Sequence, residues 1–381
     1  MSSDPNALYS RKNPFPAELK TNRKLTGEGS EKDTRHFEIV LAGSGLSYEV
    51  GDSLGVFPTN NPALVEEILA ALKFTGEELA PNPAGEAVPI RQALLKDYIL
   101  TEPSKQLLEA VSNKDSSATF LKDLLNPDVK AELDKYTWGR GVIDILTEFD
   151  AAFTPEEFVK VLRKLQPRLY SIASSQKAVG EEVHLTVAVV RYESHGRKRE
   201  GVCSSYLADR VGDDGKVPVF VHTAKHFRVP ENPDTDIIMV GPGTGIAPFR
   251  AFLQERKVAG AKGRNWLFFG DQRSSTDFLY EEEFKGYAAD GILTRFDTAF
   301  SRDQEYKIYV QHRMAEHAAE LYAWLEGGAY FYVCGDANRM AKDVDVALHQ
   351  AIQTAGGKTE EEAKEYVAKL KTEKRYRRDV Y

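Results

Sequence analysis

From Asp234 to the C-terminus, short apolar runs alternate with stretches whose apolar residues recur every third or fourth position. The runs are Ile237–Val240, Trp266–Phe269, Leu293–Ala299 and Tyr330–Cys334. Continuous apolar character over so few residues is what a strand buried on both faces of a parallel sheet requires. Between them, the spacing predicts helices over Ala247–Lys257 (Phe249, Phe252, Leu253), Tyr280–Tyr287, Val310–Leu325 and Asn338–Thr354. The last places Met340, Val344, Leu348 and Ile352 at every fourth position. Such alternation predicts a doubly wound parallel sheet, whose ligands sit off the carboxyl ends of the strands. The Gly241 loop, Gly270, Ser301 and Gly335 fall at those ends.

Upstream the pattern changes twice. Residues 1 to about 34 are rich in Pro, Asn, Lys, Ser and Gly and read as an extended arm. Arg35–Ala42 alternates as a strand does, and Leu46–Phe57 reads as another after a Gly-Ser-Gly turn. Pro62–Phe74 then carries a helical stripe of Leu64, Val65, Ile68, Leu69 and Leu72. Helical signals continue through Val88–Gln92, Pro103–Val111, Ser117–Leu125 and Pro155–Leu165. Alternation returns in Val183–Val190 and in Lys216–His222, where Val217, Val219 and Val221 share a face. The expected organisation is therefore a discontinuous antiparallel β-domain over 1–60 and 165–232, a barrel or sandwich. A helical block over 61–164 is inserted in it, and an α/β domain covers 233–381.

Composition narrows the partners. The 381 residues are 42% apolar and 28% charged, with a formal charge of −8 that disfavours nucleic acid. Cys203 and Cys334 stand far apart, which suits a reducing compartment and leaves no thiolate metal site. The eight histidines show no H-E-x-x-H or comparable spacing, so no metal is expected. No apolar leader and no run of membrane-spanning length occur, and a soluble cytoplasmic protein is expected.

Candidate chemistry centres on Gly241-Pro242-Gly243-Thr244-Gly245-Ile246-Ala247-Pro248-Phe249-Arg250. A strand, a glycine turn and a helix start together present free N–H groups and a positive dipole end to an anion. The dinucleotide fingerprint is absent because Ile246 takes the third glycine's place, and no Walker lysine follows. The physical reading is a phosphate-bearing nucleotide at Gly243, Thr244 and Gly245. The alternative is a tight turn that binds nothing.

Two further stretches add a family. Arg168-Leu169-Tyr170-Ser171-Ile172-Ala173-Ser174 and Gly201-Val202-Cys203-Ser204-Ser205 resemble the paired flavin motifs of the ferredoxin–NADP reductase superfamily. With the Gly241 loop, Cys334-Gly335-Asp336 and the terminal Arg375-Tyr376-Arg377-Arg378-Asp379-Val380-Tyr381, they look like its diflavin reductase branch. Within it they are most similar to the flavoprotein (alpha) components of NADPH-sulfite reductase. The resemblance implies an FAD-binding barrel, an inserted helical connecting domain and a carboxyl-terminal NADP domain. It also exposes a departure. Members of that branch begin with a flavodoxin-like FMN domain, and this chain starts where the linker to it would lie. The FMN relay is expected on another chain, removed from this one, or bypassed.

By the same resemblance Arg168 and Gly201, Val202, Cys203 and Ser204 take the FAD pyrophosphate. Leu169 and Tyr170 face the isoalloxazine, Ser171 meets its reactive nitrogen, Thr186 and Ala188 line the cavity, and Tyr192 stacks on the adenine. Ser301, Arg302, Lys307, Tyr309 and Gln311 are expected to select NADPH through its 2′-phosphate, and Asp343 completes the nucleotide set. Asp271 stands where NAD enzymes hold a ribose, yet it is discounted because the family reads the phosphate from the next strand's end. Ser171, Cys334 and Asp379 form the setting for hydride transfer, and Tyr381 covers the flavin and must move. Cys334 taken alone reads as a small buried residue. The basic cluster Lys371, Lys374, Arg375, Arg377 and Arg378 is a solvated face or a dock for an acidic flavodoxin-like partner.

The leading expectation is an NADPH-dependent FAD reductase serving a separate FMN protein or a sulfite reductase haemoprotein. The alternatives are a stand-alone ferredoxin/flavodoxin–NADP reductase or diaphorase, and a non-catalytic nucleotide-binding scaffold.

Overall fold

The computed structural model describes residues 8–212 and 215–381; the first seven residues of the expected arm lie outside it. Six strands build the first sheet: β1 (Phe15–Lys24), β2 (Thr34–Val40), β3 (Ser53–Val56), β4 (Arg168–Ser171), β5 (Glu182–Ala188) and β6 (Lys216–His222). Their order is β4–β3–β6–β1–β2–β5, and β1 pairs antiparallel with both β6 and β2, as β2 does with β5. Just past β4, Ile172 bridges to Leu185, and the Ala173 N–H donates to the His184 carbonyl at 2.8 Å. The two edges thus meet, and the sheet closes as a barrel.

Two expectations change here. The arm contains β1, which lies inside the sheet between β6 and β2. Of its ten residues only Ala17 is buried, so no apolar alternation marks it. Conversely, the strand expected over Leu46–Phe57 is confined to Ser53–Val56. Before it, backbone groups find other partners. The Glu49 N–H goes to the Asp52 carboxylate at 2.9 Å, while the Tyr48 hydroxyl reaches Ser174 Oγ (2.8 Å) and the Glu182 carbonyl (2.9 Å).

A second sheet comprises β7 (Ile237–Val240), β8 (Asn265–Asp271), β9 (Arg295–Phe300), β10 (Tyr330–Gly335) and β11 (Tyr376–Val380), in the order β9–β8–β7–β10–β11. All its neighbours are parallel. Alternate residues feed two cores. Ile238, Val240, Trp266, Phe268, Phe331 and Val333 face one, while Ile237, Met239, Leu267, Phe269, Tyr332 and Cys334 face the other. That is why these strands read as unbroken apolar runs. The helix expected over Val310–Leu325 divides at His317, which turns aside to pair with Asp297 (3.0 Å). One further helix, Glu360–Thr372, leads into β11.

The chain separates into two compact units. One holds the barrel and the parallel sheet: Met1–Gly55, Leu169–Ala188 and Gly215–Tyr381. The other holds the helical block, Val56–Arg168, together with Val189–Asp214. In the second unit a hairpin of Arg191–Ser194 and Arg197–Glu200 accompanies helices packed through Ile68, Leu94, Leu107, Val111, Ile145 and Phe158. Among the described residues no helix is long and apolar enough to cross a membrane.

Candidate active site

The register of β10 against β11 sets Cys334 directly opposite Asp379. Ser171, at the end of β4, donates its hydroxyl to Asp379 Oδ2 at 2.7 Å, and Cys334 Sγ lies 3.9 Å from the same oxygen. Cys334 is fully buried; burial first, and the Asp379 charge second, push its thiol well above the usual range. It therefore stays a protonated S–H at neutral pH, a weak donor to the carboxylate and not a nucleophile. Tyr381 is held by its backbone: its N–H donates to the Gly335 carbonyl (3.1 Å) and its carbonyl accepts from Ala337 (3.0 Å). Its hydroxyl stands 3.1 Å from Thr244 Oγ1, and the residue as a whole is 62% exposed. Residues 171, 334, 379 and 381, expected together, are brought together within one unit.

The glycine loop adjoins them. A Cβ on Gly245 would stand 2.2 Å from the Cys334 carbonyl oxygen, so only glycine lets this turn press against β10. Gly243–Ile246 forms a short 3₁₀ turn that runs into the helix Ala247–Val258, whose start has no side-chain cap. The Ala247 N–H already donates to the Thr244 carbonyl and Pro248 has none, so a phosphate here would be met by the glycine turn and not by the helix's first residues. At β9's end, the Ser301 and Arg302 N–H groups donate to the carbonyls of Asp271 (2.9 Å) and Gln272 (2.8 Å). Lys307 and Tyr309 are exposed, and Gln311 Nε2 donates to Asp343 Oδ2 at 3.3 Å.

Two charges that no motif singles out complete this end of the sheet. Arg302 pairs with Glu31 and Asp271 pairs with Lys32, both partners lying on the loop between β1 and β2. Asp271 is nearly sealed, with 1% of its side chain exposed, and burial raises its carboxyl pKa. Its carboxylate is taken up by Lys32, which gives a physical reason for discounting it as a ribose ligand. Glu31 and Lys32 sit in a polar stretch with no apolar periodicity, and nothing in the sequence says what they face.

The flavin-motif residues divide between the units. In the first, Leu169 and Ala188 are exposed and Tyr170 is half-buried. Thr186 is buried, with its hydroxyl 2.7 Å from the Tyr280 hydroxyl, so its polar atom is already engaged. In the second, Arg168 and Tyr192 are exposed and Cys203 is buried, its Sγ 3.9 Å from the Val56 carbonyl oxygen. Gly201 heads the short helix Val202–Ser205 with no side-chain cap, and Ser204 Oγ accepts from the Val190 N–H at 3.1 Å. A Cβ on Gly201 would lie 2.7 Å from Ser204 Oγ, so the turn needs glycine. A cavity of about 510 Å³ in this unit is lined by Tyr192 and Val202 and also by Asn60 and Arg210. Asn60 Oδ1 and Arg210 Nε are buried there without partners. An aromatic wall, an unmet acceptor, an unmet donor and nearby guanidinium groups fit an adenine nucleotide.

Among the described residues one trio could gather around a metal ion. His36, Glu38 and His184 bring ligand atoms within 4.8 Å of one another. Arg250 Nη1 lies 3.4 Å from His184 Nδ1 and opposes a second cation there.

A closed antiparallel barrel, a doubly wound sheet and a glycine turn at that sheet's carboxyl edge define an oxidoreductase that handles two nucleotides. Residues 8–206 match the FAD binding domain model and residues 239–345 the oxidoreductase NAD-binding domain model. The chain belongs to this family of FAD-binding, ferredoxin–NADP reductase-like oxidoreductases, whose cofactors are FAD and NADP(H). It is 48% identical over 375 residues to the "Sulfite reductase [NADPH] flavoprotein alpha-component" of Bacillus subtilis, covering 98% of this chain and 62% of that protein. The proteins of the same name from Zymomonas mobilis and Escherichia coli K12 are also 48% identical, over 374 and 373 residues. Each match covers 98% of this chain, and 61% and 62% of those proteins, so the chain spans about three fifths of its relatives' length.

Proposed function

We propose that this chain is an NADPH-dependent flavin reductase that accepts hydride from NADPH onto FAD. It would pass the electrons to a separate FMN protein or to a sulfite reductase haemoprotein, in assimilatory sulfite reduction. When bound, FAD supplies the conversion of a two-electron hydride donor into single electrons. The chain's own residues bind, orient and shield. Three functional regions follow: 1–60 with 165–232 for the flavin, 61–164 as connector and 233–381 for NADP(H).

The observation that carries this reading is the convergence of Ser171 and Cys334 on one oxygen of Asp379, beside Tyr381 and the glycine loop. The Asp379 carboxyl group suits a site in which a nicotinamide ring becomes positive. Ser171 and Cys334 keep it hydrogen-bonded and aimed, and the protonated thiol adds no second charge. Gly243, Thr244 and Gly245 would hold the NADP(H) pyrophosphate, and Ser301, Arg302, Lys307, Tyr309 and Gln311 the 2′-phosphate. Tyr170 would flank the flavin ring, Arg168 and the Gly201–Ser204 turn would take the FAD pyrophosphate, and Tyr192 its adenine. Tyr381, anchored by its backbone, would act as a movable cover.

Of the basic cluster, Arg375 and Arg377 already serve backbone carbonyls: Arg375 those of Leu325 and Ala329 (3.0 Å), Arg377 that of Arg228 (2.9 Å). They are a strand flank in this reading.

The test is anaerobic. The purified protein, reconstituted with FAD, should be yellow and should bleach with NADPH about ten- to a hundredfold faster than with NADH at limiting concentration. That range matches a lost charge-assisted contact to the 2′-phosphate. A protein that cannot take up FAD, or that ignores both nucleotides, would count as a scaffold instead.

A further inference from the structure

We propose that Glu31 is a built-in anion that occupies the phosphate-reading Arg302 until the 2′-phosphate of NADP(H) displaces it. Glu31 then becomes a specificity-determining residue for the reaction proposed above, and the inference rests on that reading.

The loop between β1 and β2 is fixed in place. The Gly27 N–H donates to the Thr276 carbonyl at 2.7 Å, and a Cβ on Gly27 would come within 3.3 Å of Thr276 Cα. Thr26 Oγ1 donates to the Lys32 carbonyl (3.0 Å) while accepting from the Thr34 N–H (3.3 Å). Ser30 reaches the buried Asp277, and its hydroxyl also accepts from the Lys32 N–H at 3.0 Å. The loop is therefore docked against the helix Ser274–Asp277, which follows β8.

From this platform two successive residues reach the end of the parallel sheet with opposite charges. Glu31 pairs with Arg302 at the end of β9, and Lys32 pairs with Asp271 at the end of β8. Each pairing covers one of the two groups that could read a ribose 2′ position. A carboxylate at the end of a second strand favours a free 2′-hydroxyl, whereas a guanidinium favours a 2′-phosphate. Lys32 neutralises the first, and its partner is almost wholly enclosed. Glu31 covers the second, but differently, because it is 60% exposed and Arg302 is 31% exposed. An exposed pair is weak and exchangeable.

Only a 2′-phosphate can make the exchange. A phosphate monoester brings close to two negative charges and three acceptor oxygens to the guanidinium, against one charge and two oxygens from Glu31. It can take the carboxylate's place. NADH, with a plain hydroxyl, has nothing that can. Glu31 thus lowers the affinity for every nucleotide that must use Arg302 and leaves the others untouched. The hydrogen bond from Arg302, and then its charge, depress the Glu31 pKa, so the carboxylate stays ionised through neutral pH and the competition does not vary there.

The experiment uses equilibrium binding, which needs no turnover. 2′,5′-ADP and 5′-AMP are titrated into the full chain and its variants by calorimetry at low ionic strength. Glu31→Gln should tighten 2′,5′-ADP by about two- to fivefold, the range expected for loss of an exposed competing ion pair. The same variant should leave 5′-AMP unchanged, and Glu31→Asp should return 2′,5′-ADP binding toward that of the parent. Unchanged or weaker 2′,5′-ADP binding by Glu31→Gln overturns the proposal. Arg302→Gln separates the two levels. It should lose 2′,5′-ADP affinity by about tenfold or more. An Arg302→Gln chain that binds 2′,5′-ADP as the parent does would refute the phosphate-reading role itself, whatever Glu31 does.

Discussion

The two sheets of the first unit are held together by different physics. The parallel sheet is apolar through its thickness: Trp266, Phe268, Phe331 and Val333 are fully buried on one side, Met239, Leu267, Phe269 and Tyr332 on the other. The barrel has apolar residues in its core too, Phe37, Ile39, Leu54, Val183, Leu185, Val217 and Val219 among them, but it adds a buried polar network. His36, His184, Thr186 and Ser174 are all less than 9% exposed, and they are joined through hydroxyls and rings. His36 Nδ1 meets the Tyr280 hydroxyl at 2.9 Å, and Arg250 donates to the Ala173 carbonyl at 2.7 Å while pairing with Glu283 at 2.8 Å. Arg250 and Tyr280 belong to the α/β half, so the barrel is tied to its neighbour by hydrogen bonds and charge. Apolar cores fail by losing volume and are indifferent to pH; buried polar networks fail by losing a partner or gaining a proton.

The largest effect should come from the apolar side. Phe268 is fully buried and stacks on Trp266 with ring centres 4.9 Å apart. Phe268→Ala should cost about 3–5 kcal/mol of unfolding free energy. Denaturant melts should show the same loss at pH 5 and pH 8. A loss that varied strongly with pH would mean that this core is coupled to the titrating network after all.

The second effect should be nearly the converse. Burial, Arg250 and His184 lower the pKa of His36 to about 3, against pulls in the other direction from Glu38. The groups facing it are Glu38 and Arg23 on the barrel strands, His184 on β5, and Tyr280 and Arg250 from the α/β half. Below about pH 6.5 the unfolded chain binds a proton that the folded ring refuses. Stability should therefore be full above pH 6.5 and fall as the pH drops from there toward 3, by up to a few kcal/mol. His36→Gln removes the titration. Its stability should lie below the parent's at pH 8, and the gap should narrow or reverse by pH 4.5. Parallel curves for the two proteins between pH 8 and 4.5 would show that His36 carries no proton-linked energy.

That difference in physics also governs what could be read from residues alone. Ile237–Val240 and Tyr330–Cys334 announce themselves because both faces of each strand need apolar side chains, and their glycine-marked ends point to the nucleotide region. β1 was illegible because its neighbours in the sheet supply the apolar side and it contributes one buried alanine. The division of Val310–Leu325 at His317 is set by an aspartate, Asp297, on another strand, which no local window contains. Within the site, Ser171, Cys334 and Asp379 were recognisable as motif members, but their sharing of a single carboxylate oxygen follows from strand register. The pairs Glu31–Arg302 and Lys32–Asp271 join residues more than two hundred positions apart, and each partner in isolation reads as surface charge.

The smallest expected change in stability comes from the last residue. Tyr381 adds one terminal ring, two backbone hydrogen bonds and a 3.1 Å contact from its hydroxyl to Thr244. Its removal should shift the unfolding free energy by under about 1 kcal/mol, since exposed contacts contribute little. Function should respond out of proportion. If the ring covers the place a nicotinamide must enter, deleting Tyr381 removes a displacement that both NADPH and NADH must make. NADH, which lacks the 2′-phosphate contacts, depends more on that step, so its bleaching rate should rise more and the preference for NADPH should narrow. Stopped-flow flavin bleaching with each nucleotide reads this directly. A deletion that leaves both rates and their ratio unchanged would make Tyr381 a strand end and nothing more, and Arg302 would then bear the discrimination without help from a cover.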